Sequence, residues 1–277
     1  MSNIHVIGSN GFVGKAIKKV SKNREDIKFY SSNEYEKKFK IFDIRDEKTW
    51  KNINIEKNDK LIFLTWRNLP NYNEPFHITE NLIDSIKFIK YILQKNISKL
   101  IITGTCYEYG LQNGMLSEDS NPEPLNSYSL AKDCLRKLTQ CLCTKLETEF
   151  LWLRIFYPYG KGQNPNSLIP SLERAIENKE ESFNLSKGNQ IRDFIKVEDV
   201  AQIILKLTDS PKANGIYNVG SGKPISIKDF IKAYIKRKDS DIKLNFGYYP
   251  ERKNEPNAFW ADTQKLNSIL KLDKKIT

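Results

Sequence analysis

At 277 residues, 39% of them hydrophobic and 11% aromatic, the chain can bury a large core and carry one α/β domain with a smaller lobe. No apolar run approaches a membrane span, and Met1-Ser-Asn-Ile-His-Val-Ile-Gly8 leads straight into a strand, so a cytoplasmic protein without a signal peptide or membrane contact is expected. The net charge of +11 is spread over every segment with no dense basic stripe interleaved with aromatics, which favours a solvated lysine-rich surface over nucleic-acid binding.

Cys106, Cys134, Cys141 and Cys143 do not form a disulfide framework pattern in a chain this long, and reduced, packing thiols are expected. With His5 and His77 the only histidines, no Cys/His metal site is expected.

Ile4-His-Val-Ile7 reads as a buried strand, followed by Gly8-Ser-Asn10-Gly11-Phe12-Val13-Gly14. Glycines at this spacing permit a tight turn and close approach of backbone to a pyrophosphate. The helix that follows places Val13, Ile17 and Val20 on one face, and its first N–H groups would meet the anion. A second strand is predicted over Ile27–Tyr30. Past it come Ser31 and Ser32, with Glu34 farther on; the missing acid leans toward NADP(H) over NAD(H), although no arginine stands there to hold a 2′-phosphate.

A third strand, Lys40–Arg45, carries Asp43, which either reaches an adenine amino group or caps a helix starting near Asp46. Leu61–Leu64 has the continuous apolar character of a central parallel strand, ending at Thr65-Trp66. A helix over Asn81–Leu93 should bury Leu82, Ile86, Ile89 and Leu93. Leu100–Ile102 then runs into Thr103-Gly-Thr105-Cys106-Tyr107-Glu-Tyr-Gly110, at the sheet edge where ligands bind. Thr105 there serves a reacting oxygen or merely stabilises a turn.

Within Asn126–Arg136, Tyr128 and Lys132 lie four residues apart, on one face of a helix. An ammonium beside a phenol favours the phenolate, so Tyr128 is expected to ionise below about 10 and to exchange protons with a hydroxyl or carbonyl. Taken alone, such a pair also fits an exposed helix surface. Phe150–Arg154 is the last strand before signals shorten and loops lengthen. We therefore expect a nucleotide-binding domain over residues 1–155 and a substrate lobe over 156–277, interleaved with the last sheet strands.

Taken in order, these segments resemble the extended short-chain dehydrogenase/reductase family, in its nucleotide-sugar-modifying branch. Gly8, Gly11 and Gly14 match the cofactor turn, Asp43-Ile44 the adenine contact, Thr105 the Ser/Thr position, and Tyr128 with Lys132 the Y-x-x-x-K pair. Leu153–Gly160, Arg192-Asp193-Phe194, Asn218–Gly222 and Arg252 resemble further family signatures. The resemblance implies a Rossmann-type doubly wound parallel sheet with a smaller C-terminal α/β lobe. It also implies hydride transfer between a nicotinamide and C4 of a sugar bound as its nucleoside diphosphate. Tyr128 would be the acid/base, Lys132 would tune it and hold the nicotinamide ribose, and Thr105 would orient the C4 oxygen. Asn10, Phe12, Val13 and Leu64 would join the cofactor contacts. Cys106, Tyr107, Tyr157, Arg192 and Arg252 would face the substrate, the arginines at its phosphates or nucleoside. For Arg192 an ion pair with Asp193 or Glu198 is the structural alternative.

Departures narrow the reaction. Where the family's 4,6-dehydratases carry Asp-Glu, this chain has Cys106-Tyr107, which cannot carry out that elimination. Tyr157 replaces the family's usual Asn. The segments Thr103–Gly110 and Tyr249–Glu255 resemble bacterial reductases of 4-keto-6-deoxy sugar nucleotides, which serve surface-polysaccharide synthesis. A 4-epimerase with retained NAD uses the same three residues and stays open, as does a non-catalytic NAD(P)-binding sensor. The helices near 81–93 and 128–146 resemble those of a family homodimer.

Overall fold

The computed structural model describes residues 2–32, 40–251 and 255–270. Its strands are β1 (Ile4–Ile7), β2 (Ile27–Ser31), β3 (Lys40–Ile41), β4 (Lys60–Phe63), β5 (Lys99–Thr105), β6 (Gly114–Leu116), β7 (Glu149–Ile155) and β8 (Pro158–Tyr159). They continue with β9 (Ser182–Leu185), β10 (Ile191–Asp193), β11 (Ile195–Lys196), β12 (Gly215–Val219), β13 (Pro224–Ser226), β14 (Lys243–Phe246) and β15 (Phe259–Ala261). The helices are α1 (Phe12–Val20), α2 (Glu47–Trp50), α3 (Ile83–Leu93), α4 (Ser127–Lys145), α5 (Leu168–Glu177), α6 (Val197–Asp209), α7 (Ile227–Arg237) and α8 (Gln264–Leu270).

Seven parallel strands form one sheet in the order β12-β7-β5-β4-β1-β2-β3. Strand order reverses between β1 and β4, and at such a switch point the carboxyl ends of two strands open a crevice. Both faces of the sheet are covered, which explains the unbroken apolar runs of β4 and β5. On one face Ile17 of α1 and Ile204 of α6 pack with Ile62, Ile101 and Leu153; on the other Phe88 of α3 and Leu135 of α4 pack with Phe63, Ile102 and Trp152. The fold is the Rossmann-like α/β architecture.

A third core lies in the lobe, where α5 and α7 pack beside the paired strands β9 and β14. Phe194 and Phe230 stack there with ring centroids 3.8 Å apart. The chain returns from α6 to the main sheet through β12, which pairs with β7.

Three local expectations shift. The third strand is only Lys40–Ile41, because Asp43 turns the chain: its carboxylate accepts the Arg45 N–H at 2.9 Å. Asp46 caps α2, accepting from Lys48 N. A π-helical turn over His77–Leu82 precedes α3, and the buried side of that helix is Ser85, Phe88, Ile89, Ile92 and Leu93, with Leu82 and Ile86 only half-buried. All four cysteines are free, Cys106 and Cys143 buried and Cys141 exposed. Among the described residues no helix is long and apolar enough to cross a membrane.

Candidate active site

The crevice at the switch point starts with the glycine turn. Gly8 adopts φ +87°, and a Cβ there would stand 3.1 Å from the Thr65 backbone N of the segment after β4. A Cβ on Gly14 would lie 2.4 Å from the Gly8 carbonyl, so only glycine lets α1 press against the turn. Gly11 caps α1 without a side chain, and Lys15 is the first residue whose N–H reaches back to its carbonyl. The amides of Phe12, Val13 and Gly14 are therefore the helix's free donors. The Ser9 hydroxyl is buried with no protein partner. Donors at a helix N-terminus beside an unsatisfied hydroxyl and glycine backbone fit a dinucleotide pyrophosphate.

Thr105, Tyr128 and Lys132 line the same cavity of about 370 Å³, as does Leu64 beside the glycine turn. Thr105 ends β5. Tyr128 and Lys132 sit in the first turns of α4, whose start is fixed by Asn126 Oδ1 accepting from Ser129 N at 2.8 Å. The Tyr128 N–H donates to the Tyr72 carbonyl at 2.9 Å, tying α4 to the loop after β4. The Lys132 ammonium donates to the Thr103 carbonyl at 2.9 Å and lies 4.1 Å from the centre of the Trp66 ring.

The expected depression of the Tyr128 pKa is overturned here. Burial pushes the phenol well above its ordinary range, with Tyr72 adding to the rise and a hydrogen bond from Thr105 opposing it. The same burial acts on Lys132 and brings it down to about 7, against the pull of Glu108. Burial is the largest influence on both groups, and it favours the neutral phenol. Tyr128 is the proton-bearing partner.

A second cavity, about 640 Å³, opens toward the lobe and shares Tyr72, Tyr107, Tyr157 and Gln163 with the first. Tyr107 and Tyr157 pack edge to face with ring centroids 6.1 Å apart, and burial raises both phenols. Cys106 is buried behind Thr105 and its thiol is likewise pushed up by burial. Arg192 lines the second cavity with its guanidinium held internally: Nε donates to the Tyr157 hydroxyl at 2.9 Å, and Nη2 pairs with Glu255 at 3.2 Å. Its carboxylate partner is thus Glu255, while Asp193 accepts from Ser221, Gly222 and Ala261.

The adenosine-end candidates are more dispersed. Asn10 Nδ2 donates to Ser31 Oγ at 2.6 Å, and Lys18 Nζ reaches Asn10 Oδ1 at 2.6 Å, bringing a cation to the end of β2. Asp43 is bound in an ion pair with Arg45, and Ile44 is buried, its carbonyl accepting from Trp50 Nε1. Arg252 and Glu34 lie outside the described residues. No group of three His, Cys, Asp or Glu placed to hold a metal occurs among the described residues.

Sequence reading passed over Trp66, Tyr72, His77 and Glu108. Trp66 packs edge-on to Tyr128 at 5.9 Å and donates its Nε1–H to His77 Nδ1 at 3.1 Å. A signal was available for Trp66, an aromatic directly beyond a central strand, and for Glu108, at capping-box spacing from Thr105; Tyr72 and His77 reach the site through tertiary packing.

The signature of the NAD dependent epimerase/dehydratase family matches residues 4–220. The chain belongs to that family. Among its relatives are two proteins of Aggregatibacter actinomycetemcomitans. One, dTDP-6-deoxy-L-talose 4-dehydrogenase (NAD+), is 26% identical over 272 residues, spanning 94% of this chain and 99% of the relative. The other, GDP-6-deoxy-D-talose 4-dehydrogenase, is 26% identical over 285 residues, spanning 99% and 93%. The solved UDP-glucose 4-epimerase of Thermotoga maritima superposes with a TM-score of 0.86 at 20% identity, covering 99% of this chain and 94% of that one, a likeness of fold.

Proposed function

We propose that this family member uses a reduced nicotinamide dinucleotide to reduce the C4 keto group of a nucleoside-diphosphate 4-keto-6-deoxy sugar. The observation that carries the reading is Tyr128 and Thr105 lining one cavity, with Cys106 and Tyr107, neither of them a carboxylate, directly after Thr105. A keto reduction requires one proton donor at the C4 oxygen and no second acid/base pair. The two talose relatives are named as 4-dehydrogenases, and such an oxidation run backwards is a 4-keto reduction.

A bound nicotinamide would supply the hydride. Tyr128 would hand its proton to the developing C4 alkoxide, Thr105 would hydrogen-bond the same oxygen, and Lys132 would hold the nicotinamide ribose. The amides of Phe12, Val13 and Gly14 with Gly8 and Gly11 would bind the pyrophosphate; Asn10, Asp43, Ile44 and Leu64 would complete the dinucleotide contacts. Lys18 at the end of β2 supports NADPH, and the NAD+-named relative supports NADH. Residues 156–277 would supply most of the sugar-nucleotide cavity, with Cys106, Tyr107, Tyr157, Arg192 and Arg252 toward the substrate. Exposed Leu130 and Leu138 on α4 and Ile83 on α3 support a homodimer through these helices.

The test is the loss of reduced-nicotinamide absorbance with dTDP-, GDP- and CDP-4-keto-6-deoxy sugars, each with NADH and NADPH. Stoichiometric oxidation with one of them supports the reductase. No oxidation with any, and interconversion of C4 epimers by protein that carries NAD, would move the assignment to a 4-epimerase. Cofactor binding with neither activity would leave a sensor.

A further inference from the structure

The carboxylate of Glu108 has no exposure at all, yet it lies directly behind the reacting groups. Its Oε1 accepts the Thr105 backbone N–H at 2.9 Å, while Trp152 Nε1 donates to both its oxygens at 3.0 and 3.1 Å. Arg154 Nε donates to its Oε2 at 2.8 Å, and that guanidinium is itself 1% exposed. In return Thr105 Oγ1 accepts the Tyr107 N–H at 3.3 Å, closing a capping box around the turn 106–109.

A capping box alone is an ordinary way to begin a turn. Three features exceed it. The carboxylate is fully desolvated, which costs free energy unless every lone pair is engaged. Its other donors come from β7, the strand paired with β5 in the register Gly104↔Arg154 and Thr105↔Ile155, so the turn is latched to the sheet and not only to itself. The backbone is fitted to it as well: a Cβ on Gly104 would lie 2.2 Å from Trp152 Nε1 and 2.5 Å from Glu108 Oε1.

The consequence falls on one atom. Thr105 Oγ1 is held by the Tyr107 N–H, and Thr105 and Tyr128 line the same cavity, so the hold on the turn sets where the hydroxyl stands relative to the phenol. We propose that Glu108 is a positioning residue of this site: through the Thr105 amide and the β7 latch it fixes where the Thr105 hydroxyl points, beside Tyr128. This rests on the Thr105–Tyr128 assignment made above. Orientation is where small displacements are expensive, since about 1 Å of misplacement can cost about 100-fold in rate.

Two measurements test it. Hydrogen exchange of ligand-free Glu108→Gln and Glu108→Asp needs no substrate. Faster exchange confined to residues 103–110 is expected, because neither side chain can serve the amide and both β7 donors at once. Unchanged exchange there, or acceleration spread over the whole sheet as a loss of general stability, would overturn the proposal. Glu108→Asp keeps the charge for Arg154 and carries the test alone if the glutamine variant does not fold. The second measurement is a cycle of Glu108→Asp, Thr105→Val and their combination, assayed with whichever ketosugar the wild type reduces. Loss of kcat by about 10- to 100-fold in Glu108→Asp, with unchanged NAD(P)H affinity and less than about 3-fold further loss in the Thr105→Val background, is expected of a group acting through Thr105. Additive losses would overturn it. If wild type reduces none of the sugars, the reductase reading fails while exchange still decides the role of Glu108.

Discussion

Arg192 Nε donates to the Tyr157 hydroxyl at 2.9 Å, and the same guanidinium reaches the Ile191 carbonyl at 2.9 Å and Glu255 at 3.2 Å. An arginine so committed is a wall-builder before it is a phosphate ligand: it braces Tyr157, which packs edge-on against Tyr107, two residues beyond Thr105. Planar, forked donors suit this task and a lysine's single ammonium does not. Arg192→Lys should therefore lower stability by about 1–3 kcal/mol in urea titrations and raise the substrate KM, with NAD(P)H affinity unchanged. A variant as stable as wild type, weakened only in binding nucleoside diphosphate, would restore the direct phosphate role.

Lys132 offers a pH signature. Its folded-state pKa of about 7 lies below the ordinary lysine value of 10.5, so above about pH 7 the unfolded chain binds the proton that the folded chain has released. Stability should therefore rise with pH across the window from about 7 to 10, at up to about 1.4 kcal/mol per unit from this group. In ligand-free Lys132→Met that rise should be missing. Urea midpoints for both proteins at the two ends of the window check it; parallel curves would show the ammonium to be better solvated than its burial implies.

The glycine turn gives a sharper test of the dinucleotide site. Gly14→Ala places a Cβ 2.4 Å from the Gly8 carbonyl and 2.6 Å from Ser9 Cα, both backbone atoms that cannot step aside. Displacement of α1 would move the Phe12 and Val13 amides off the anion position. NAD(P)H affinity should fall at least about 10-fold, with a stability loss of about 1–3 kcal/mol typical of overpacking. Retained affinity by fluorescence titration would place the pyrophosphate elsewhere.

How much of this was legible in the sequence depended on range. Gly8, Gly11 and Gly14 announce a turn because their spacing is local, and Tyr128 with Lys132 announce a shared helix face for the same reason. Apolar runs such as Leu61–Leu64 reveal parallel strands through continuity. The state of the catalytic pair was not legible, since burial raising Tyr128 and lowering Lys132 is a property of the packed site. The latch of Glu108 to β7 was hidden for a related reason, although its capping-box spacing from Thr105 is local. Its partners Trp152 and Arg154 lie more than forty residues away and meet it only once β5 and β7 pair. Arg192 was found by its motif, but its bond to Tyr157 could not be read from the chain.

At the opposite end of the sheet, His5 is 1% exposed, with Nε2 2.8 Å from Asp59 and Nδ1 3.0 Å from the Tyr30 hydroxyl. Ionised Asp59 can only accept, so Nε2 carries the proton and Nδ1 accepts from Tyr30. Burial lowers the His5 pKa below 6.5, outweighing the hydrogen bond and charge of Asp59. The sign follows: the folded value is depressed, so the contribution is present above about pH 6.5 and is lost as pH falls, because the unfolded chain takes up the proton first. Glutamine at this position can still donate to Asp59 but does not titrate. Urea midpoints from about pH 7 down to 5 should therefore fall more steeply for wild type than for His5→Gln, by up to about 1.4 kcal/mol per unit. The catalytic end, on the far side of the sheet, should retain its cofactor affinity in this variant at neutral pH. Equal slopes would mean that folding leaves the His5 pKa unshifted, and a shallower fall in wild type that His5 is protonated in the folded protein as an ion pair with Asp59.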